Sequence, residues 1–440
     1  MKPPKIFFMT WMFLLVSFQV RALESGAQRV LTFREALRTA AEKSPTAVMA
    51  DERVQEALER LNQARSYLFP KITGDVSETR RTENLQTLGF KPAADGPSVV
   101  GPFNAFDARV KLTQILFDPA TVRRLEAVRA GKELSAAEAK KAKQDVLALV
   151  GALYIETRRD IEAVKFAKTA LCYAEEKARL ADEHFKLGTG SETDLQEAKS
   201  ELAANRYLVR AAESAETAKR LDLKAALGLS PGDSLKLAGE DPIFQNRLPN
   251  TQDIPAAVQS HPEVKVAEEN FKGQKAQELV ERAGYLPKIS GAADYGSSGS
   301  QPGRGEATYD LGLELSWPIF EAGEQQAKVA EAESKTRQAK TNFNEVKIQK
   351  EAKALEAKDS LKDARLFLVA QGDRRLWKKK ELELAKARFQ NGTASVLDVI
   401  RVSRDAAEAE NDAAEASALY RMAQINLAHA LGHMEKFLEG

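Results

Sequence analysis

The residues best able to do chemistry sit in two matching stretches, Phe185-Lys186-Leu187-Gly188-Thr189-Gly190-Ser191-Glu192-Thr193-Asp194 and Phe389-Gln390-Asn391-Gly392-Thr393-Ala394-Ser395-Val396-Leu397-Asp398. Gly188 and Gly392 can take the positive φ that ends a long helix. Ser191 and Ser395 can cap the helix that follows, and their spacing to Asp194 and Asp398 has the form of a capping box. Capping alone accounts for both aspartates. A second reading adds to it. Turns that close a rod present exposed backbone at Gly188, Thr189, Ser191, Gly392, Thr393 and Ser395, where a partner protein can dock. Asp398, repeated around a symmetry axis, would form an acidic ring that draws cations into a narrow mouth. Asp194 is its counterpart in the first stretch, and Arg401, a turn beyond Asp398, is placed to neutralise the ring.

Other chemistry finds little support. His429 and His433 have helical metal-ligand spacing, but Gly432 ends the helix between them and Glu435 is the one acidic residue nearby, so metal binding is the weaker reading. Cys172 is the single cysteine, which excludes an intrachain disulfide and a thiolate zinc cluster, and it is expected to be packed as a small apolar residue. No serine-histidine-aspartate set or phosphate loop is present, so the chain does not read as an enzyme and calls for no cofactor. Lysine and arginine total 65 against 64 acidic residues, a balance that makes nucleic acid a poor partner.

The elements that position the two stretches are written twice. Lys2 and Lys5 precede an apolar run from Ile6 to Val20, and Val20-Arg21-Ala22 offers a cleavage site, so residues 1–22 read as an export signal. A shift of 217 lays Ser44-Pro45 on His261-Pro262 and Pro70-Lys71-Ile72-Thr73-Gly74 on Pro287-Lys288-Ile289-Ser290-Gly291. A shift of 203 lays Leu112-Thr113 on Leu315-Ser316 and Phe117-Asp118 on Phe320-Glu321, which puts 14 extra residues in the first copy's loop. A shift of 204 aligns the two glycine-bearing stretches, and Leu227-Gly228 with Leu431-Gly432. The expected division is a first repeat over 23–227, a linker over 228–250 and a second repeat over 251–440.

Each copy reads helix, two strands, very long helix, tight turn, long helix. Leu311, Leu313, Leu315 and Trp317 alternate with Asp310, Gly312, Glu314 and Ser316, and Phe106, Ala108, Val110 and Leu112 alternate with Asp107, Arg109, Lys111 and Thr113, as half-buried strands do. Strands near Ile72 to Leu88 and Ile289 to Ser297 are less sharply marked. Gly89 to Phe103 and Gly296 to Glu306 read as exposed loops. After Asp118-Pro119 no proline interrupts the chain until the first turn, which predicts a rod of roughly 100 Å at about 1.5 Å per residue. Val329, Ala332, Thr336, Ala339, Phe343 and Val346 step by three and four, as do Val399, Val402, Ala406, Ala409, Ala413, Ala416 and Tyr420. These are coiled-coil seams.

Four short strands with one apolar face cannot close a barrel, and an open edge in lipid leaves amides unpaired. The chain must borrow strands, and three copies would supply twelve, an even number typical of outer-membrane barrels. Tyr67, Phe69, Phe117, Trp317 and Phe320, where strands meet helices, suit a membrane-interface belt, although packing at the junction would also explain them.

The doubled layout, the switch sequence Trp317-Pro318-Ile319-Phe320-Glu321-Ala322-Gly323 and the paired Phe-x-x-Gly-Thr-x-Ser-x-x-Asp turns resemble the TolC-type outer-membrane efflux duct family from about Leu31 to Gly432. The resemblance implies a mainly α fold with a small β part: long antiparallel coiled-coil helices forming a periplasmic α-barrel, and four strands per chain joining a twelve-stranded trimeric transmembrane β-barrel. It implies a homotrimer in the outer-membrane lipid that docks through its tip to a periplasmic adaptor (a membrane fusion protein) and an inner-membrane pump of RND or ABC type. The function so implied is a passive exit duct for a tripartite efflux or type I secretion system, gated at its periplasmic end. Ser44-Pro45 and His261-Pro262 stand where the family has Asn-Pro. Phe389 and Ala394 stand where relatives carry a tyrosine and an arginine that lock the entrance, so those two donors are missing here. The rival readings are a periplasmic coiled-coil scaffold and a stand-alone porin.

Overall fold

The computed structural model describes residues 29–89, 97–238 and 253–438; the expected export signal and much of the expected linker lie outside them. In chain order the elements are β1 (Arg29–Leu31), α1 (Phe33–Lys43), α2 (Pro45–Ser66), β2 (Lys71–Asn84), β3 (Val99–Phe117), α3 (Pro119–Lys186) and α4 (Glu192–Ala226). There follow β4 (Leu235–Leu237), α5 (Ile254–Gln259), α6 (Pro262–Ala283), β5 (Lys288–Gly299), β6 (Gly305–Ser316), α7 (Glu324–Gln390) and α8 (Val396–Ala430). Among the described residues no helix is long and apolar enough to cross a membrane.

The rods α3 and α7 run 68 and 67 residues. Asp118 starts α3 by accepting from the Ala120 and Thr121 amides at 3.0 and 3.3 Å, with Pro119 in the first turn, where no amide is missed. Alanine is the commonest of their buried residues, at Ala137, Ala139, Ala167, Ala174 and Ala178 on α3 and Ala332, Ala339, Ala354 and Ala385 on α7. Alanine lets helix axes approach closely while the charged faces stay in water. Helices α3 and α4 form one antiparallel pair, α7 and α8 the other, and α3 packs on α8 to join them. The expected burial of Cys172 is not found: its side chain is exposed. The seam of α3 runs through Ala167, Ala174 and Ala178, and position 172 falls off that stripe.

The cores lie at the waist. Phe33, Tyr154 and Phe437 stack edge to face at 5.5 and 6.1 Å among Leu31, Leu37, Val150 and Ile425. A second cluster gathers Ile254, Val258, Val264, Leu361, Leu427 and Leu431. Gly151 permits this approach, since a Cβ there would meet Ile425 Cδ1 at 3.0 Å and the Phe33 ring at 3.5 Å. Beside the first core, β1 pairs with β4 in parallel.

At the far end β2, β3, β5 and β6 form one antiparallel sheet in that order, so β2 and β6 are its edges. Strand pairing continues through Val99–Phe103 and past the expected strand end at Ser297 to Gly299, into stretches that the sequence reading assigned to loops. Glycine and serine there hide the alternation, and at Gly296 a Cβ would strike Ala108 O and Arg109, so the close approach of β3 itself requires glycine. One face of the sheet carries Ile72, Val76, Val110, Leu112, Leu311, Leu313 and Leu315. Leu311 and Leu313 are 80% and 78% exposed, so a single chain has nothing to cover them.

Candidate functional site

At the end opposite the sheet, the two glycine-bearing turns close in the same way. Gly188 and Gly392 have φ of 71° and 73°. The Thr189 and Thr393 amides each donate to the carbonyl five residues back, of His184 and Arg388, at 2.9 Å. The threonine hydroxyls donate to the same carbonyls at 3.1 and 3.0 Å. Two donors thus satisfy a helix-end carbonyl that the rod itself leaves open.

The next helices start differently. Ser395 Oγ accepts from the Asp398 amide at 3.1 Å, and Asp398 Oδ2 accepts from the Ser395 amide at 3.1 Å and hydroxyl at 2.8 Å, a complete capping box. The Ser395 hydroxyl and amide together hold the Asp398 carboxyl below the usual aspartate range. Ser191 instead accepts from the Thr193 amide at 3.1 Å, so the capping box expected between Ser191 and Asp194 does not form. Asp194 is thereby left facing the space between the helix pairs.

That space is a cleft of about 390 Å³ between α3, α4 and α8, and it brings together Asp194, Asp398 and Arg401 from the two repeats. Arg401 reaches Asp398 at 3.6 Å, a loose exposed pair. Tyr173, Lys177 and His184 also line it, with apolar Leu180, Ala181, Ala198 and Leu397 between them. Lys177 bridges Glu201 at 2.6 Å and Glu197 at 3.4 Å. Arg404 of α8 lies over the Tyr173 ring of α3 at 5.2 Å, a cation–π contact that ties the two helix pairs just above the tip. The sequence reading missed this contact, because no local spacing relates two residues on different repeats.

The strand-to-helix junction gathers the aromatic residues. Trp317 donates its indole N–H to the Tyr285 carbonyl at 3.2 Å and is otherwise 60% exposed. Phe117 is half exposed and Phe320 is 86% exposed, with Tyr67, Phe69 and Ile319 in the open beside them. Packing within the chain does not explain rings left in this state.

At the waist, His261 caps α6. Its Nδ1 accepts from the Glu263 amide at 3.1 Å and its Nε2 donates to the His429 carbonyl at 3.1 Å, so both ring nitrogens are used and the tautomer is fixed. His429 in turn contacts Asp145 of α3 at 2.8 Å. Burial of the His261 imidazole, reinforced by the nearby Lys350 ammonium, pushes its pKa down to about 4. His429 is therefore engaged in joining helices; among the described residues no group of three or more metal-ligating side chains occurs.

An uncovered apolar sheet carried on paired rods of this length defines a class: proteins that enter a membrane through strands and stand on a helical stalk. The sequence matches the outer membrane efflux protein family over residues 36–229 and 254–433, and the chain belongs to that family. It is thus an outer-membrane protein, with its helical part on the periplasmic side. Among similar proteins, outer membrane protein OprJ of Pseudomonas aeruginosa is 26% identical over 223 residues, 48% of this chain and 43% of OprJ. The pyoverdine export outer membrane protein OpmQ of the same organism is 24% identical over 315 residues, 68% of this chain and 64% of OpmQ. The matched part therefore spans less than half of OprJ and just under two thirds of OpmQ. The fold is that of the CmeC outer membrane channel of Campylobacter jejuni, with a TM-score of 0.76 at 19% identity, covering 91% of this chain and 85% of that one. The open state of the Neisseria gonorrhoeae MtrE outer membrane channel gives a TM-score of 0.72 at 18% identity, covering 91% and 88%.

Proposed function

We propose that the chain is one subunit of a homotrimeric exit duct, a passive conduit with no catalytic activity that passes solutes or proteins from the periplasmic side to the exterior. It serves a tripartite efflux pump or a type I secretion system, and the energy comes from an inner-membrane pump of RND or ABC type through a periplasmic adaptor. The observation that carries this reading is the open sheet, with two unpaired edges and a largely exposed apolar face, at one end of rods that need neighbours. Three copies give twelve strands and a closed wall, with no amide row left facing lipid. Trp317, Phe320 and Phe117 then form the interface belt at headgroup depth. The 1–22 segment directs export, and two repeats, 23–227 and 251–440, joined by 228–250, supply the pseudo-symmetric halves of each subunit.

The tip turns, with Gly188, Thr189, Ser191, Gly392, Thr393 and Ser395 at the surface, form the adaptor-docking end. Asp194, Asp398 and Arg401 form the entrance gate. Three Asp398 carboxylates around the axis make an acidic constriction, which the loose Arg401 contact neutralises only in part. Planar-bilayer recording tests both ideas. The purified protein should conduct, with block by divalent cations, and Asp398→Ala should relieve that block. Absence of conductance sinks the duct, while unchanged block in Asp398→Ala sinks only the ring.

A further inference from the structure

The sheet contains a template for the junction it lacks. Its two hairpins are copies. Lys71, Ile72 and Gly74 of β2 lie opposite Thr113, Leu112 and Val110 of β3, while Lys288, Ile289 and Gly291 of β5 lie opposite Ser316, Leu315 and Leu313 of β6. Adding 217 to the β2 numbers and 203 to the β3 numbers converts one register into the other without slippage. Those are the offsets the sequence repeat itself gives, so the internal pseudo-symmetry holds residue by residue in the sheet. The chain also shows how one hairpin joins the next, through β3 and β5: Asp107 lies opposite Ser298, Lys111 opposite Asp294, Leu112 opposite Ala293, and Phe117 opposite Ile289.

Resting on the trimer reading above, we infer that β6 pairs with β2 of the partner subunit in the register of the β3–β5 junction, and that Asp310 is neutralised there by Arg81 of the partner subunit. The same two offsets place Leu315 opposite Val76 of the partner subunit and Glu314 opposite Ser77 of the partner subunit. Apolar residues meet on the outer face and polar ones on the inner face, as a one-residue slip would not allow.

The charges support this register independently. In the first repeat Asp107 is held by Arg109 of its own strand at 2.6 Å, and Arg109 also reaches Asp294 at 2.8 Å. In the second repeat the position corresponding to Arg109 is Gly312, so Asp310, the counterpart of Asp107, has lost its cation. Asp310 also stands directly opposite Asp294, a like-charge arrangement that disfavours the sheet. The junction that sets Ser298 opposite Asp107 within the chain sets Arg81 of the partner subunit opposite Asp310 between chains. Arg81 is available: it lies on edge strand β2, half exposed, with Glu83 at 3.1 Å and the Phe103 ring at 6.0 Å as its company. The cation missing from one strand is thus supplied across the joint by another.

Cysteine cross-linking in the full chain reads the register. Cys172 is exposed and is first replaced, Cys172→Ser. Residues directly opposite across a strand pair bring Cβ atoms within disulfide reach, whereas positions two residues away do not. In native membranes, Val76→Cys with Leu315→Cys, and Ser77→Cys with Glu314→Cys, should give covalent dimers and trimers that vanish on reduction. The yield from the better of these pairs should exceed by about tenfold that of Gly74→Cys or Glu78→Cys with Leu315→Cys. A protein that is trimeric by mass in detergent but cross-links best at a displaced pair overturns the register and leaves the trimer standing. A protein that is monomeric by mass overturns both. For the ion pair, Asp310→Arg should lower the temperature at which the trimer dissociates, and adding Arg81→Asp should restore it; no restoration removes the proposed partnership.

Discussion

At the scale of residues, His261 shows how one side chain can hold several elements. Its imidazole joins the start of α6 to the end of α8, and it can do so only when neutral, because Nδ1 must accept. Lys350, His429 and Glu263 face it, and Lys350 opposes a second positive charge. Its pKa in the folded protein, about 4, is below the ordinary 6.5, so the unfolded chain takes up a proton first as the pH falls. The stabilisation is full above about pH 6.5 and is lost progressively down to pH 4, at most roughly 3 kcal/mol in all. His261→Asn, which keeps a capping oxygen but does not titrate, should flatten the fall in thermal midpoint between pH 6.5 and 4.5; equal slopes in both proteins would contradict this. Ala322 gives a second test. It has φ of 49° at the turn into α7, a conformation that costs a residue with a Cβ about 1 kcal/mol. Ala322→Gly should raise the thermal midpoint in detergent, and a lowered midpoint would show that the strain is not there. Sequence carried the backbone turns at Gly188 and Gly392 and the Ser395 cap, since Gly-Thr-x-Ser spacing is local chemistry. It did not carry the Ser191 cap, which chooses the Thr193 amide over a box with Asp194, nor the Tyr173–Arg404 contact, whose partners meet only in the folded chain.

Elements follow from simpler rules. Rods of 68 and 67 residues arise because no proline interrupts them and alanine seams let them lie close, both of which are visible in the sequence. The paired strands were visible where apolar and polar residues alternate, and their extent was blurred around Gly296–Gly299, where glycine and serine erase the period. The short pair of β1 and β4 escaped notice because three residues carry no periodicity and their partners lie far away in sequence. Cys172 was assigned to the interior on residue type, but the seam phase of α3 sets it outside. The helix contact at the waist depends on Gly151, against Ile425 and Phe33. Gly151→Val should force these apart and destabilise the waist by about 1–3 kcal/mol, measured as a fall in the unfolding midpoint. An unchanged midpoint would mean that the crossing relaxes freely.

At the scale of the whole molecule, one chain is an incomplete object. The sheet ends in two open edges, its apolar face is bare, and among the described helices α4 packs extensively on α3 alone. Every one of these deficits is of the kind that identical copies around an axis remove together. The central claim is that three subunits pool their strands to make one membrane wall. The most direct test is the mass of the mature protein after membranes are separated from the aqueous periplasmic extract and dissolved in mild detergent. The account predicts a particle of three chains, found in the membrane fraction and dissociated by heating. A single chain, free in the aqueous extract, would contradict it.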